Sequence, residues 1–296
     1  MHIPVLLNEV IEYLNLASGK NIVDATLDGG GYALAILEKI GPEGKLLGIE
    51  LDGELFKQTE TKIHEAGFEK SAILVNDSYV NLKTICEEKK FEPDGIVFDL
   101  GLSSWHLEAS GRGFSFKKDE PLDMRFSPAA AKTALGVVNQ YGPEELEKII
   151  GEYGEEQFAG SIARSIVKAR REKPLMTTLE LVKAIETSVP EWYKHRKIHF
   201  ATKTFQAIRI EVNDELNNVK KGVAAAIDVL KKDGRLAVVS FQGLEDKIVK
   251  EIFKKEVKGG RIKLAVSGTI RPKWAEQREN PRSKSAKMKL AEKIKV

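Results

Sequence analysis

The first hundred residues alternate between short continuous apolar runs and stretches in which apolar residues recur every three or four positions. Ile22, Val23, Ala25 and Leu27 make one run, and residues 45–49, 72–75 and 95–98 make three more, each the length of a buried parallel strand. Between them Ala33, Leu34, Ile36, Leu37 and Ile40, then residues 55–66 and 82–89, carry helical spacing. Val5, Leu6, Val10, Ile11 and Leu14 predict a short helix within residues 2–16. Four strands alternating with helices argue for a parallel, doubly wound α/β sheet. The alternation stops at Leu102. Up to about Phe205 the stripes are helical: Leu146, Ile149, Ile150 and Tyr153; Phe158, Ile162 and Ile166; and Leu181, Val182 and Ile185 behind a capping box over 177–180. Past Phe205 the α/β rhythm resumes, with a helix through Val223, Ile227 and Leu230, a strand over 236–241, a helix over 248–253 and a strand over 262–266 that completes the predicted sheet. The economical organisation is one discontinuous α/β domain, residues 1–106 and 205–296, interrupted by an all-helical insertion at 107–204.

Composition narrows the class. A chain of 296 residues, 42% hydrophobic and 31% charged, can bury a sizeable core. It contains no apolar run near a membrane span, and Asn8 and Glu9 come too early for a signal peptide, so the expectation is a cytoplasmic protein. One cysteine, Cys86, excludes an internal disulfide, and the five histidines lack metal-ligand spacing. The net charge of +3 is unevenly spread: residues 254–296 hold fourteen Lys or Arg against four Glu. A basic end on an acidic body suggests either a polyanionic partner or a solvated tail.

The candidate chemistry gathers where the first strand ends. Gly29, Gly30 and Gly31 sit at a strand-to-helix junction, where glycine lets a ligand approach the backbone and the N–H groups of a helix start suit polar ligand atoms. About twenty residues on, the second strand ends in Glu50, the place of a ribose-binding carboxylate in a nucleotide-type βαβ unit. The dinucleotide fingerprint is incomplete, because Leu34 stands at the third glycine position. That favours an adenosyl ligand without a pyrophosphate over a nicotinamide dinucleotide. Tyr79 and Asp99 follow the third and fourth strands and should reach the same edge, Tyr79 either facing an adenine or lying on a surface turn, and Asp99 nearest the reacting end. In residues 112–126, Phe114 and Phe116 either stack on a base or plug a domain junction, Arg112 and Arg125 can hold phosphate, and Asp123 can accept a proton or orient an amine. Residues 192–209 carry Lys194, Arg196, Lys197, Lys203 and Arg209 with no acid, interleaved with aromatics, which reads as an RNA-contacting stripe.

Several long strings then carry a resemblance: HIPVLLNEV from residue 2, DGIVFDLGLSS from 94, RGFSF and PLDMR within 112–125, TFQAIRIEVNDEL from 204, SFQGLEDKIVK from 240 and ENPRSKSAK from 279. Over essentially its whole length the chain resembles the RsmH (MraW) family, S-adenosylmethionine-dependent methyltransferases acting on N4 of a cytidine in small-subunit (16S) ribosomal RNA near the decoding centre. The resemblance implies a class I methyltransferase (Rossmann-like) fold with an inserted helical substrate domain. It implies cofactor positions at Gly30, Gly31, Tyr32, Glu50, Tyr79, Asp99 and His106, no metal, and small ribosomal subunit RNA as partner, with a homodimer allowed. The family usually has glycine at Asp28, histidine at Tyr32, aspartate at Glu50, glutamine at His106, and His-Ser at Gln242 and Gly243. Methylation of a cytosine amine needs an acceptor for the N4–H, because the lone pair is delocalised into the ring, and an unstacked base. Asp99 and Asp123 are the two candidates. The alternative is an RNA-binding assembly protein of the same fold with weakened or lost cofactor binding.

Overall fold

The computed structural model describes residues 4–295, so the His2 start of the first predicted helix lies outside the described residues. The chain forms two compact units, Met1–Gly101 with Leu216–Val296, and Leu102–Glu215. The first contains helix α1 (Leu7–Tyr13), strand β1 (Asn21–Asp24), α2 (Gly31–Ile40), β2 (Lys45–Ile49), α3 (Gly53–Glu65), β3 (Ala72–Val75), α4 (Leu82–Lys89) and β4 (Gly95–Asp99). The second contains α5 (Ser104–Glu108), α6 (Ala134–Gln140), α7 (Pro143–Gly154), α8 (Ala159–Glu172), α9 (Thr178–Glu186), α10 (Glu191–Lys194) and α11 (Thr202–Asn213). The chain then returns to the first through α12 (Glu215–Val229), β5 (Arg235–Ser240), α13 (Gly243–Lys258), β6 (Ile262–Leu264), α14 (Trp274–Glu279) and β7 (Lys287–Lys293).

The seven strands run in the order β3-β2-β1-β4-β5-β7-β6, with β7 antiparallel to both neighbours and the other neighbouring pairs parallel. This is the class I methyltransferase arrangement. Central strands are buried on both faces: Val23, Ile96 and Val238 pack with Ile85, Val223 and Phe253, while Ile22, Val97 and Val239 pack with Ile36, Leu37 and Met288 on the other side. That double burial is why these strands read as continuous apolar runs. The sequence reading missed β7. In KMKLAEK lysines alternate with Met288 and Leu290, so the segment looks like a basic end, yet Met288, Leu290 and Ala291 are buried and Lys287 and Lys289 pair with Asp246. The basic end is therefore not a solvated tail.

The helical unit has its own core around Val137, Leu146, Ile150, Ile162, Ile166, Leu181 and Ile208. Its edges fall at Leu102 and Glu215 rather than at 107 and 204. α5 packs its His106 ring against Phe114 and Phe126, and α11 lies along α7, so both helices belong with the insertion.

Candidate active site

The carboxyl ends of β1, β2 and β4 hold a set of acids, buried at Asp24 and Glu50 and half-buried at Asp99. β1 ends in Asp24, which is fully buried; Oδ1 accepts the Thr26 N–H at 3.3 Å and Oδ2 has no partner. Thr26 in turn accepts the Asp99 N–H at 2.6 Å, fixing the end of β4 beside the end of β1. Among the described residues Asp99 Oδ1 is buried without a partner, as is Asp28 Oδ1 in the glycine turn. Glu50 follows β2, and its two oxygens accept the Asp28 N–H at 2.8 Å and the Asp52 N–H at 2.9 Å. The carboxylate thus ties the glycine turn to the start of α3, where Asp52 accepts the Glu54 and Leu55 N–H groups as the helix cap.

Among the described residues no cation compensates these acids. Burial pushes Asp24 and Asp99 well above the carboxylate range and raises Glu50 to about 7, and the charged groups acting on all three are other carboxyls, Asp28 foremost for Asp99. A buried carboxylate without a cation is costly, so the arrangement suits a ligand that brings positive charge and hydroxyl donors.

The glycines act differently from the sequence expectation. A Cβ on Gly31 would lie 2.1 Å from Pro4 Cγ, and one on Gly30 would lie 2.8 Å from Thr59 Cγ2, with Gly30 at φ +82°. Their smallness admits the chain's own N-terminal segment and α3. Among the described residues a Cβ on Gly29 would meet only Lys62 Nζ, 3.7 Å away. Asp28 has φ +47°, a left-handed conformation that explains the family's glycine there and that Asp tolerates better than most residues. Tyr32 turns its ring into the core and donates its hydroxyl to the Val5 carbonyl, so its backbone in the first turn of α2 is what remains near the strand ends. Tyr79 stands just past β3, half-buried, edge-on to Phe98 at 5.5 Å and close against Gly222.

Other expectations in the helical unit are corrected by what the side chains touch. Asp123 accepts Arg125 Nε and the Arg125 N–H on Oδ1, at 2.8 and 3.0 Å, and a second guanidinium nitrogen on Oδ2 at 2.8 Å. Both oxygens are engaged, and these bonds hold the carboxyl below its ordinary range against the opposing effect of burial. Arg125 also donates to the Pro128 and Ala130 carbonyls, and Arg112 to the Arg125 and Phe126 carbonyls. The two arginines staple their own loop rather than wait for phosphate. Phe114 is buried, stacked on Phe126, so it plugs the core; Phe116 stacks on His199. Arg209 is buried in a bidentate pair with Glu215, which removes it from any RNA stripe, while Trp192 remains 60% exposed. His106 lies in the helical unit with its ring 5.1 Å from both Phe114 and Phe126.

Comparison with known proteins places this geometry. The model of the MraW methylase family matches residues 1–294. The chain belongs to that family. Proteins named ribosomal RNA small subunit methyltransferase H are 44% identical in Persephonella marina, over 99% of both chains, and 45% identical in Fervidobacterium nodosum, over 99% of this chain and 97% of that one. A third, from Syntrophus aciditrophicus, is 40% identical over 99% and 98%.

S-adenosylmethionine, the cofactor of this family of methylases, fits the donor set. It carries an ammonium, a sulfonium, one carboxylate and ribose hydroxyls, a net positive charge, and no phosphate, and orphaned carboxylate oxygens are offered at Asp24, Asp28 and Asp99. A pyrophosphate would meet those same charges as a second anion. Asp24 is the residue that sequence reasoning missed; an acid ending an otherwise apolar strand was the available signal. Among the described residues no group of His, Cys, Asp or Glu could hold a metal ion, and no helix is long and apolar enough to cross a membrane.

Proposed function

We propose that this chain is a methyltransferase of small-subunit ribosomal RNA in the cytoplasm, transferring a methyl group from S-adenosylmethionine to N4 of a cytidine near the decoding centre. Family membership over the whole chain and the shared name of its relatives support the ribosomal substrate. The observation that carries the chemistry is the Asp99 Oδ1 atom at the end of β4, buried and without a hydrogen-bond partner among the described residues. When bound, S-adenosylmethionine supplies an electrophilic methyl group on its sulfonium. Glu50 has one backbone N–H on each oxygen, which leaves further lone pairs for ribose hydroxyls. Tyr79 would pack on the adenine, Gly30, Gly31 and the backbone of Tyr32 would border the cofactor at the start of α2, and Asp24 would take the ammonium.

Of the two candidate acceptors, Asp99 suits the amine, since its Oδ1 has no partner among the described residues, whereas the ion pair with Arg125 holds the Asp123 carboxyl below its ordinary range and makes it the weaker base. A hydrogen bond from N4–H to Asp99 localises the nitrogen lone pair, and the proton released as the N–C bond forms passes to the carboxylate. Asp123, with Arg125, braces its own loop within the helical unit. The helical unit would recognise RNA through Trp192, Arg196 and Lys197, all exposed. Labelled methyl transfer to small ribosomal subunits, naked ribosomal RNA and duplex DNA, with nucleoside analysis, tests this. N4-methylcytidine is expected in the ribosomal substrates, chiefly in the assembled subunit, and none in DNA; label on a ring carbon or mainly in DNA would refute it. The rival reading, an assembly protein without cofactor, predicts no thermal shift with S-adenosylhomocysteine.

A further inference from the structure

The segment around α14 has two contrasting sides. Inward, Glu276 Oε1 accepts the Leu6 N–H at 2.7 Å, and Leu6 has φ +57°. The adjacent Val5 carbonyl accepts the Tyr32 hydroxyl, and Pro4 fills the space left beside Gly31. α14 is thereby joined to residues 4–6 and to the start of α2, at the carboxyl end of β1. The segment is also fixed along its own length. Ile270 exchanges backbone hydrogen bonds with Met288 of β7, Gln277 Nε2 donates to the Pro272 carbonyl at 2.8 Å, Asn280 caps the short 3₁₀ turn Pro281–Ser285, and Ser283 is buried.

Outward, Trp274 is 73% exposed, more than any other large hydrophobic side chain among the described residues. The Arg278 guanidinium lies 5.5 Å from the centroid of its ring. Arg271, Lys273, Arg282 and Lys284, near it in sequence, are exposed, with Lys273 3.8 Å from Glu9 Oε1, and the acids of the segment are Glu276, which turns inward, and Glu279. A lone indole in a field of cations is poorly suited to an apolar protein or lipid partner, which would need neighbouring apolar side chains. It matches the chemistry of single-stranded nucleic acid, where a base stacks on an aromatic face and cations take the flanking phosphates.

We propose that this face, centred on Trp274 and Arg278, grips an unpaired stretch of the RNA substrate, so that the methyltransferase unit holds RNA in its own right. The inference rests on the ribosomal RNA reading above. Its location follows from the bolt through Glu276 and Leu6, which ties α14 to the segment that packs on the glycine turn through Pro4.

The test uses the full chain and a fluorescently labelled, unstructured RNA oligonucleotide, with an RNA duplex of equal length as comparison. Trp274→Ala is expected to weaken single-strand binding about tenfold, or about 1.4 kcal/mol, within the range for a base stacked on an aromatic side chain. Trp274→Phe retains most of that affinity. Arg278→Ala with Arg282→Ala lowers the slope of log affinity against log salt by about 0.7 for each lost phosphate contact. S-adenosylhomocysteine binding by calorimetry is unchanged in all three, which also verifies their fold. In a Trp105→Phe, Trp192→Phe background, the fluorescence of Trp274 is quenched by the single strand. Affinity within twofold of the parent for Trp274→Ala, or an equal loss on the duplex, overturns the proposal while methylation by the parent protein leaves the ribosomal reading standing. A parent protein that neither binds nor methylates ribosomal RNA overturns both.

Discussion

Glu50 offers a prediction whose sign and size follow from its surroundings. Burial raises its carboxyl from the ordinary 4.5 to about 7, against the opposing effect of the Asp52 and Asp28 N–H groups. Between those two values the folded protein holds a proton that the unfolded chain has released, so this contribution is fully present below 4.5 and is lost as pH rises through 7. At about 1.36 kcal/mol for each tenfold separation, the loss between pH 5 and pH 8 is about 2.5 kcal/mol. Glu50→Gln removes the titration but keeps the shape, at the cost of one of the two backbone N–H bonds, because its amide nitrogen cannot accept. The difference in unfolding free energy, parent minus variant, should therefore shrink by about 2.5 kcal/mol from pH 5 to pH 8. Urea denaturation followed by fluorescence at pH 5, 6, 7 and 8 measures it, and Asp24, Asp28 and Asp99 remain in both proteins. A difference that stays constant across that range would refute the account of Glu50 as a buried, uncompensated acid. Saturating S-adenosylhomocysteine adds a second readout, since a ligand that recruits the ionised carboxylate should bind more tightly as pH rises towards 8 and release protons on binding.

Asp99→Asn should lower methyl transfer by at least about 100-fold, whereas Asp123→Asn should act mainly through its loop, with a smaller loss of rate and about 1 kcal/mol of stability; equal losses of rate in steady-state assays would reopen the choice of acceptor. Alanine at Gly31 or Gly30 should each cost about 1–3 kcal/mol, the first by displacing Pro4 and the second through its positive φ and Thr59, while Gly29→Ala should cost under about 1 kcal/mol; thermal denaturation that ranks Gly29 with the other two would contradict the packing described. RNA affinity should fall steeply with salt, and Arg196→Ala with Lys197→Ala should flatten that dependence while Arg209→Ala destabilises the fold instead; a change in salt slope for Arg209→Ala in a folded variant would return that residue to the RNA surface.

How much of this was legible in the sequence depends on the range of the interaction concerned. Side-chain periodicity is a property of neighbouring residues, so the apolar runs ending in Asp99 and Glu50 and the helical stripes from Leu146 to Ile185 announced a parallel sheet with a helical insertion. Strand-end acids were likewise readable, because the topology of a parallel sheet brings strand carboxyl ends to one edge. Which partner each polar group meets was not readable. Arg112, Arg125 and Arg209 look alike in sequence to Arg196, yet the first three satisfy carbonyls or carboxylates of their own unit and the last is exposed over the Tyr193 ring. The lysines of β7 read as a basic tail until Asp246 and the strand partners on either side supply the reason for their alternation. The glycine turn shows the same limit: three adjacent glycines mark a sharp junction, but only the packing of Pro4 and Thr59, tens of residues away in the chain or across an N-terminal loop, decides that Gly30 and Gly31 must be small while Gly29 has room. Local backbone preference is encoded residue by residue, whereas the compensation of buried charge and volume is settled only when distant segments meet.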